Sequence, residues 1–267
     1  MLILALESSA KPASAAVCSD GALLGQYFQN SGLTHSRTLL SMTESLLDSL
    51  GISLSEIGLV AVSVGPGSFT GIRIGVSAAK GLAWGLDIPV CGVSTLEAMS
   101  YQAAQGDAPL LRLAAEHPAA ADVSQFRSCR NLEQDGSVPA LRPTLICPVM
   151  DARRGQVYNA LFERKNGLPV RICEDRAVSL ETLTDDLLER GAACVLIGDG
   201  ADISHGTLSA AGVGCHIAPG LLRWQTAYGV ALAACGREPT HAASLEPCYL
   251  RPSQAERERN EESGVRS

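Results

Sequence analysis

Residues 59–83 read LVAVSVGPGSFTGIRIGVSAAKGLA: a continuous apolar strand, a turn holding glycines and a proline, then a helix of small residues. Gly65, Gly67 and Gly71 open φ values that a Cβ disfavours, Pro66 fixes one dihedral and removes a donor, and the helix begins with free N–H groups. Such a junction can hold an anion or a partner surface. The same residues also suit a tight strand-to-helix turn whose glycines only relieve crowding. Spacing excludes two phosphate loops. Gly65, Gly67 and Gly71 are one residue too widely spaced for G-x-G-x-x-G, and no acid closes the CGV run at 91–93. Lys80 follows Ala79 and precedes Gly81, which is not a Walker loop.

Outward from this stretch, one pattern is written twice. The first half predicts strands over 2–7, 13–19 and 22–29 with an Asp20-Gly21 turn, helix 34–50, strand 58–64, helix 70–85 and strand 89–93. The second predicts LICPVMD (145–151), QVYNALFE (156–163), an Asn166-Gly167 turn, LPVRICE (168–174), helix 179–190, strand 194–197, helix 201–211 and VGCHI (213–217). Glu7 and Asp151 then end equivalent strands, and the GPG of 65–67 matches the GDG of 198–200. Two βββαβαβ units imply an α/β fold of duplicated ribonuclease H-like lobes, the two-lobed actin-like/sugar-kinase (ASKHA) architecture with a cleft between lobes. The lobes are expected at 1–104 and 144–252, with a helix at about 224–237 packing back on the first. Residues 105–143, with Pro109, Pro118 and Pro139, read as a partly disordered insertion, and 253–267 as a charged disordered tail. Ser53-x-x-Glu56 and Ser94-x-x-Glu97 read as capping boxes.

A chain of 267 residues with 46% hydrophobic content can bury a substantial core. Its formal charge of −7 argues against a free-standing nucleic-acid binder, so any RNA would be held mostly by a partner. Nine scattered cysteines without a CxxC pair fit free thiols in a reducing cytoplasm better than disulfides or zinc. MLILALES is too short for a signal segment, and no apolar run reaches membrane-spanning length, so a soluble cytoplasmic protein is expected. No GxSxG elbow appears.

The segments GPGSFTGIRIG, AKGLA, IPVCGVSTLEA, DARRGQVY and YLRP follow one another in an order that resembles the bacterial TsaB (YeaZ) family of tRNA threonylcarbamoyladenosine biosynthesis proteins. The likeness is close over residues 1–105 and looser over 143–251. It implies a non-catalytic subunit required for threonylcarbamoylation of the adenosine next to the tRNA anticodon. The implied partners are a TsaD-like transferase and a TsaE-like ATPase, with a homodimer when unpartnered and tRNA contacted only indirectly. No cofactor of its own is implied, while a nucleotide at a joint interface stays open. The TsaD proteins carry a metal-binding His-x-x-x-His pair where Thr95 and Met99 stand here, and a hydroxyl and a thioether do not replace two imidazoles. None of the five histidines forms an i,i+4 pair.

Two constellations remain. Helix 70–85 carries a row of small residues at Gly71, Gly75 and Ala79, with Ala78, Gly81 and Gly85 nearby. Such rows let backbones approach closely, either against the lobe's own sheet or against a partner. Helix-interior glycines cost about 1 kcal/mol each, and an interface would account for their recurrence. The candidate interface comprises Ser68, Phe69, Thr70, Gly71, Arg73, Gly75, Ala78, Ala79 and Leu82 with Leu39, Thr43 and Leu46 from helix 34–50. Glu7, Asp151, Arg153 and Arg154 form the second set, a vestigial nucleotide site if they face the cleft, or otherwise a hairpin-stabilising acid and a solvated charged turn. With the GPG and GDG turns, the same acids support the alternative reading, an ATP-dependent kinase or phosphotransferase.

Overall fold

The computed structural model describes residues 1–105 and 144–251. The proline-bearing insertion and the charged tail lie outside them. Strands β1 (Leu2–Glu7), β2 (Ala13–Ser19) and β3 (Ala22–Gln29) form an antiparallel meander, and β4 (Ile57–Gly65) and β5 (Val90–Ser94) add in parallel beyond β1, giving the order β3-β2-β1-β4-β5. The β2–β3 turn takes Asp20 and Gly21 to φ 48° and 84°, as a two-residue hairpin demands. Helices α1 (His35–Leu50) and α2 (Phe69–Leu86) cover one face. On that face Leu4 and Leu6 of β1 meet Leu39, Leu46, Ile72 and Val76, all buried. Each such side chain contributes on the order of 1.5–3 kcal/mol.

Helix α3 (Thr95–Ala104) leaves β5 for the second half. There β6 (Thr144–Arg153), β7 (Gln156–Asn159), the hairpin β8 (Phe162–Lys165) and β9 (Leu168–Arg171), β10 (Arg176–Ser179), α4 (Leu180–Glu189), β11 (Ala193–Ile197), α5 (Ala201–Ala210) and β12 (Cys215–Ile217) follow. The order β10-β7-β6-β11-β12 repeats the first sheet strand for strand, with β8–β9 off the path. The protein thus has the two-lobed ASKHA fold built from duplicated βββαβαβ units. A last helix, α6 (Ala227–Ala234), returns to the first sheet, where Val230, Ala231 and Ala234 pack on Ile3, Ala5 and Ala61. In exchange, Leu96, Met99 and Ala103 of α3 pack on Ile146 and Met150 of β6.

Three local expectations are corrected. QVYNALFE is two strands, because the buried Asn159 amide donates to the carbonyls of Pro148 and Ala160 (both 3.0 Å) and the chain steps sideways there. The third strand of the repeat is β10, not LPVRICE, of which only Leu168–Arg171 is strand. Ser53 and Glu56 do form a reciprocal capping box, on a single 3₁₀ turn. Ser94, by contrast, caps α3 alone, because the Glu97 carboxylate turns to Arg171 and Arg237 instead of the helix start.

Candidate functional site

The GPG turn is filled by the chain itself. Gly65 (φ 125°) could not carry a Cβ, which would lie 2.2 Å from the Cys248 carbonyl oxygen, and one on Gly67 would lie 2.3 Å from that of Ser9. Ser68 caps α2 by accepting from Gly71 N–H (3.3 Å), while its own N–H donates to the Ser9 carbonyl at 2.7 Å. The Ser8–Ser9 turn therefore lies against one side of the junction and the C-terminal segment against the other. The N–H of Ser68 is committed to protein, and the glycines of the turn let two backbone segments approach closely.

The small-residue row faces inward. A Cβ on Gly71 would sit 2.1 Å from the Ser8 carbonyl oxygen, and one on Gly75 would sit 2.5 Å from Ser8 Oγ and 3.3 Å from Val62 Cγ2. Gly71, Gly75 and Ala79 are buried against their own lobe, as are Leu39, Thr43 and Leu46. These six of the expected interface residues are core residues. The α1 stripe is spent on the sheet, and the α2 glycines let the turn after β1 approach the helix. Ser68, Thr70 and Arg73 remain exposed, with Ala78 and Leu82 half-buried. Phe69 is half-buried under the C-terminal segment, its ring stacked on Tyr249 at 4.5 Å.

Between the two helices lies a groove of about 560 Å³, with Thr70, Arg73, Ile74, Ser77 and Ala78 on one side and His35, Ser36 and Leu40 on the other. Leu39 closes its floor. His35, Ser36, Leu40, Ile74 and Ser77 are groove residues outside the expected set. Their signal was Leu40, an apolar residue lying off the buried stripe and half exposed at 51%.

The second constellation does not assemble. Glu7 is fully buried, its Oε1 accepting from Ser9 N–H at 2.6 Å and its Oε2 without a partner. Burial pushes its pKa up against the opposing hydrogen bond from Ser9. Asp151 is exposed and accepts from Arg153 N–H at 2.7 Å, closing the β6–β7 hairpin, where Arg153 and Arg154 take φ 64° and 56° and face solvent. Of the two readings, the burial and hydrogen bonding fit a turn-stabilising acid at Glu7 and a solvated charged turn at Asp151, Arg153 and Arg154. The GDG glycines also serve packing: a Cβ on Gly198 would lie 2.1 Å from the Val149 carbonyl oxygen and 2.6 Å from Met99 Cε. Asp199 between them accepts from Gln225 at 2.9 Å, yet burial holds its pKa above the ordinary carboxylate value. Thr95 and Met99 are both buried, Met99 beneath the GDG turn.

The model of a family described as "TsaD: tRNA N6-adenosine threonylcarbamoyltransferase" matches residues 29–135, a stretch that includes α1, α2 and α3. Over 258 residues the chain is 30% identical to the tRNA threonylcarbamoyladenosine biosynthesis protein TsaB of Bacillus subtilis (strain 168), covering 96% of each. The chain belongs to the TsaB family. A TsaB of Escherichia coli (strain K12) is 38% identical over 169 residues, 63% of this chain and 58% of that relative. The fold of the TsaB-family chain also matches a crystal structure of a Pseudomonas aeruginosa protein described as uncharacterized with similarity to peptidase YEAZ, with TM-score 0.67 and 23% identity over 94% of this chain and 99% of that one.

Proposed function

We propose that this chain serves tRNA threonylcarbamoyladenosine biosynthesis as a non-catalytic subunit that binds a TsaD-like transferase through the α1–α2 groove. The observation that carries the reading is the likeness to a TsaB protein along 96% of both chains. Supporting it, the groove lies within the stretch that resembles the transferase family, and Thr95 and Met99 are packed core residues without imidazoles to offer a metal. The partner supplies the metal chemistry and most contacts to tRNA, in keeping with a net charge of −7. A TsaE-like ATPase joins the pair, and any nucleotide is held jointly with partners. Without a partner, the same groove pairs two copies. The free thiols suit a cytoplasmic setting.

Reconstitution tests this. The TsaD- and TsaE-family proteins of the same organism are combined with the activated threonylcarbamoyl donor, ATP and unmodified tRNA, with and without this chain, and the nucleosides are read by mass spectrometry. Modification should require this chain and should not occur with it alone. Full yield in its absence, or transfer by the isolated chain, overturns the reading.

A further inference from the structure

Arg73 lines the groove, and its guanidinium is held there before any partner arrives. Its Nε donates to the Tyr249 hydroxyl at 2.8 Å, and its Cζ lies 5.6 Å from the Tyr249 ring centroid. The Tyr249 ring in turn stacks on Phe69 with an interplanar angle of 16°. The chain around Tyr249 is anchored on both sides, by Cys248 N–H donating to the Val64 carbonyl at 2.7 Å and by Arg251 donating to that of Ala152 at 2.9 Å. A ring and a hydroxyl fixed at both ends thus set the direction of a solvent-exposed arginine.

What the arrangement lacks is an anion. Among the described residues Arg73 forms no ion pair, although the chain carries 28 acidic residues against 21 basic ones. Arg171, Arg176, Arg190, Arg223 and Arg237 have carboxylate partners, whereas Arg73 shares the lack of one with Arg37, Arg153, Arg154, Arg164 and Arg251, and among these six it is Arg73 that lines the groove. A planar guanidinium with most of its N–H donors open fits a carboxylate bidentately, and holding it in place beforehand reduces the ordering cost on binding. Beside it Leu40, Ile74 and Ala78 offer apolar surface. We infer that Arg73 is a preset receptor for a carboxylate side chain on the docking partner, with Tyr249 as its positioning residue. The partner segment that fits carries an Asp or Glu beside the small apolar residues that fill the groove.

The inference rests on the docking reading above, and one titration series separates the two. The probe is the TsaD-family protein of the same organism, titrated calorimetrically at several salt concentrations against the full chain and the variants Ser77→Trp, Arg73→Gln, Arg73→Lys and Tyr249→Phe, with thermal unfolding of each alongside. Ser77 is exposed in the groove wall, so a tryptophan there blocks the groove and should abolish binding while leaving the fold intact. Arg73→Gln should weaken binding by about 10–100-fold and flatten its salt dependence, and lysine, lacking the fork, should restore only part. Tyr249→Phe keeps the ring on Phe69 and removes only the hydroxyl. It should weaken binding by roughly 2–5-fold at unchanged unfolding temperature, an effect a purely structural role would not produce. Wild-type affinity and salt slope in Arg73→Gln, with Ser77→Trp inactive, overturns the inference and leaves the docking reading standing. Wild-type binding by Ser77→Trp overturns both. Wild-type affinity in Tyr249→Phe, with Arg73→Gln impaired, overturns the positioning role of Tyr249.

Discussion

The Ser8 hydroxyl donates to the Gly71 carbonyl at 2.9 Å, and a methyl group on Gly71 would lie 2.1 Å from the Ser8 carbonyl oxygen. This contact ties the turn after β1 to the first turn of α2 and explains why that turn holds a glycine its propensity opposes. Backbone, not a rotatable side chain, stands in the way of a Cβ.

Gly71→Ala should therefore destabilise the fold by roughly 1–3 kcal/mol or more, because Ser8 or the helix must shift. Chemical denaturation of the isolated chain measures this. Gly75→Leu should likewise fail in the fold first, since its Cβ alone would reach 2.5 Å from Ser8 Oγ and the rest of the side chain would enter the core around Val62. Monomeric, normally stable Gly71→Ala protein would contradict the packing account.

Gly81 and Gly85 on the same helix have nothing within 4 Å of a built Cβ and are exposed. Gly81→Ala and Gly85→Ala should each stabilise by about 0.5–1 kcal/mol through helix propensity. That is a rise of about 2–4 °C in unfolding temperature per kcal/mol for a chain of this size. A fall in stability would show that these positions meet something in the folded protein.

Asp186 accepts from Arg176 at 2.5 Å and from Arg190 at 2.6 Å. Burial alone would raise its pKa, but the two guanidinium hydrogen bonds and charges outweigh it and hold the carboxyl below the ordinary value. With the folded pKa depressed, the pair stabilises above the unfolded value, near 3.9, and that stability is lost as pH falls through the folded one. Asp186→Asn should cost about 1–3 kcal/mol at pH 7 and lose its disadvantage in acid. Urea unfolding at pH 7 and pH 3 provides the comparison, and an equal cost at both would place the effect in packing.

The repeat was legible because its signals are local: the Asp20-Gly21 turn, the Ser53 box and the period-two strands each declare themselves within a few residues. The α1–α2 surface was not, because hydrophobic periodicity finds the buried stripe and says nothing of its opposite side. Leu39, Thr43 and Leu46 carry an apolar pattern that suits an interface equally well, yet all three are buried in the fold. The row Gly71, Gly75, Ala79 has one spacing whether a partner or Ser8 presses on it, and only tertiary placement of residues 63 or more positions away decides. Tyr249 stood in the YLRP motif, but its place over Phe69 and Arg73 is a contact across 176 residues that no window of sequence contains.

Glu7 gives the sharpest pH test. Its carboxyl is fully buried, with Oε1 on Ser9 N–H and Oε2 unpartnered, and burial raises its pKa. A carboxyl whose folded pKa is raised favours the folded state in its protonated form. That contribution is complete below the unfolded value, near 4.3, and is lost as pH rises through the folded value. Glutamine keeps an oxygen for Ser9 N–H and turns an amide donor toward the Ser63 hydroxyl, whose oxygen is buried without a partner. Glu7→Gln should therefore match the wild type at pH 4 and exceed it at pH 8, where the wild type either carries a buried charge or holds its proton at a cost. Denaturation midpoints across that range decide the matter: parallel pH profiles for the two proteins would show that Glu7 titrates alike folded and unfolded, and that its oxygens meet water the geometry does not admit.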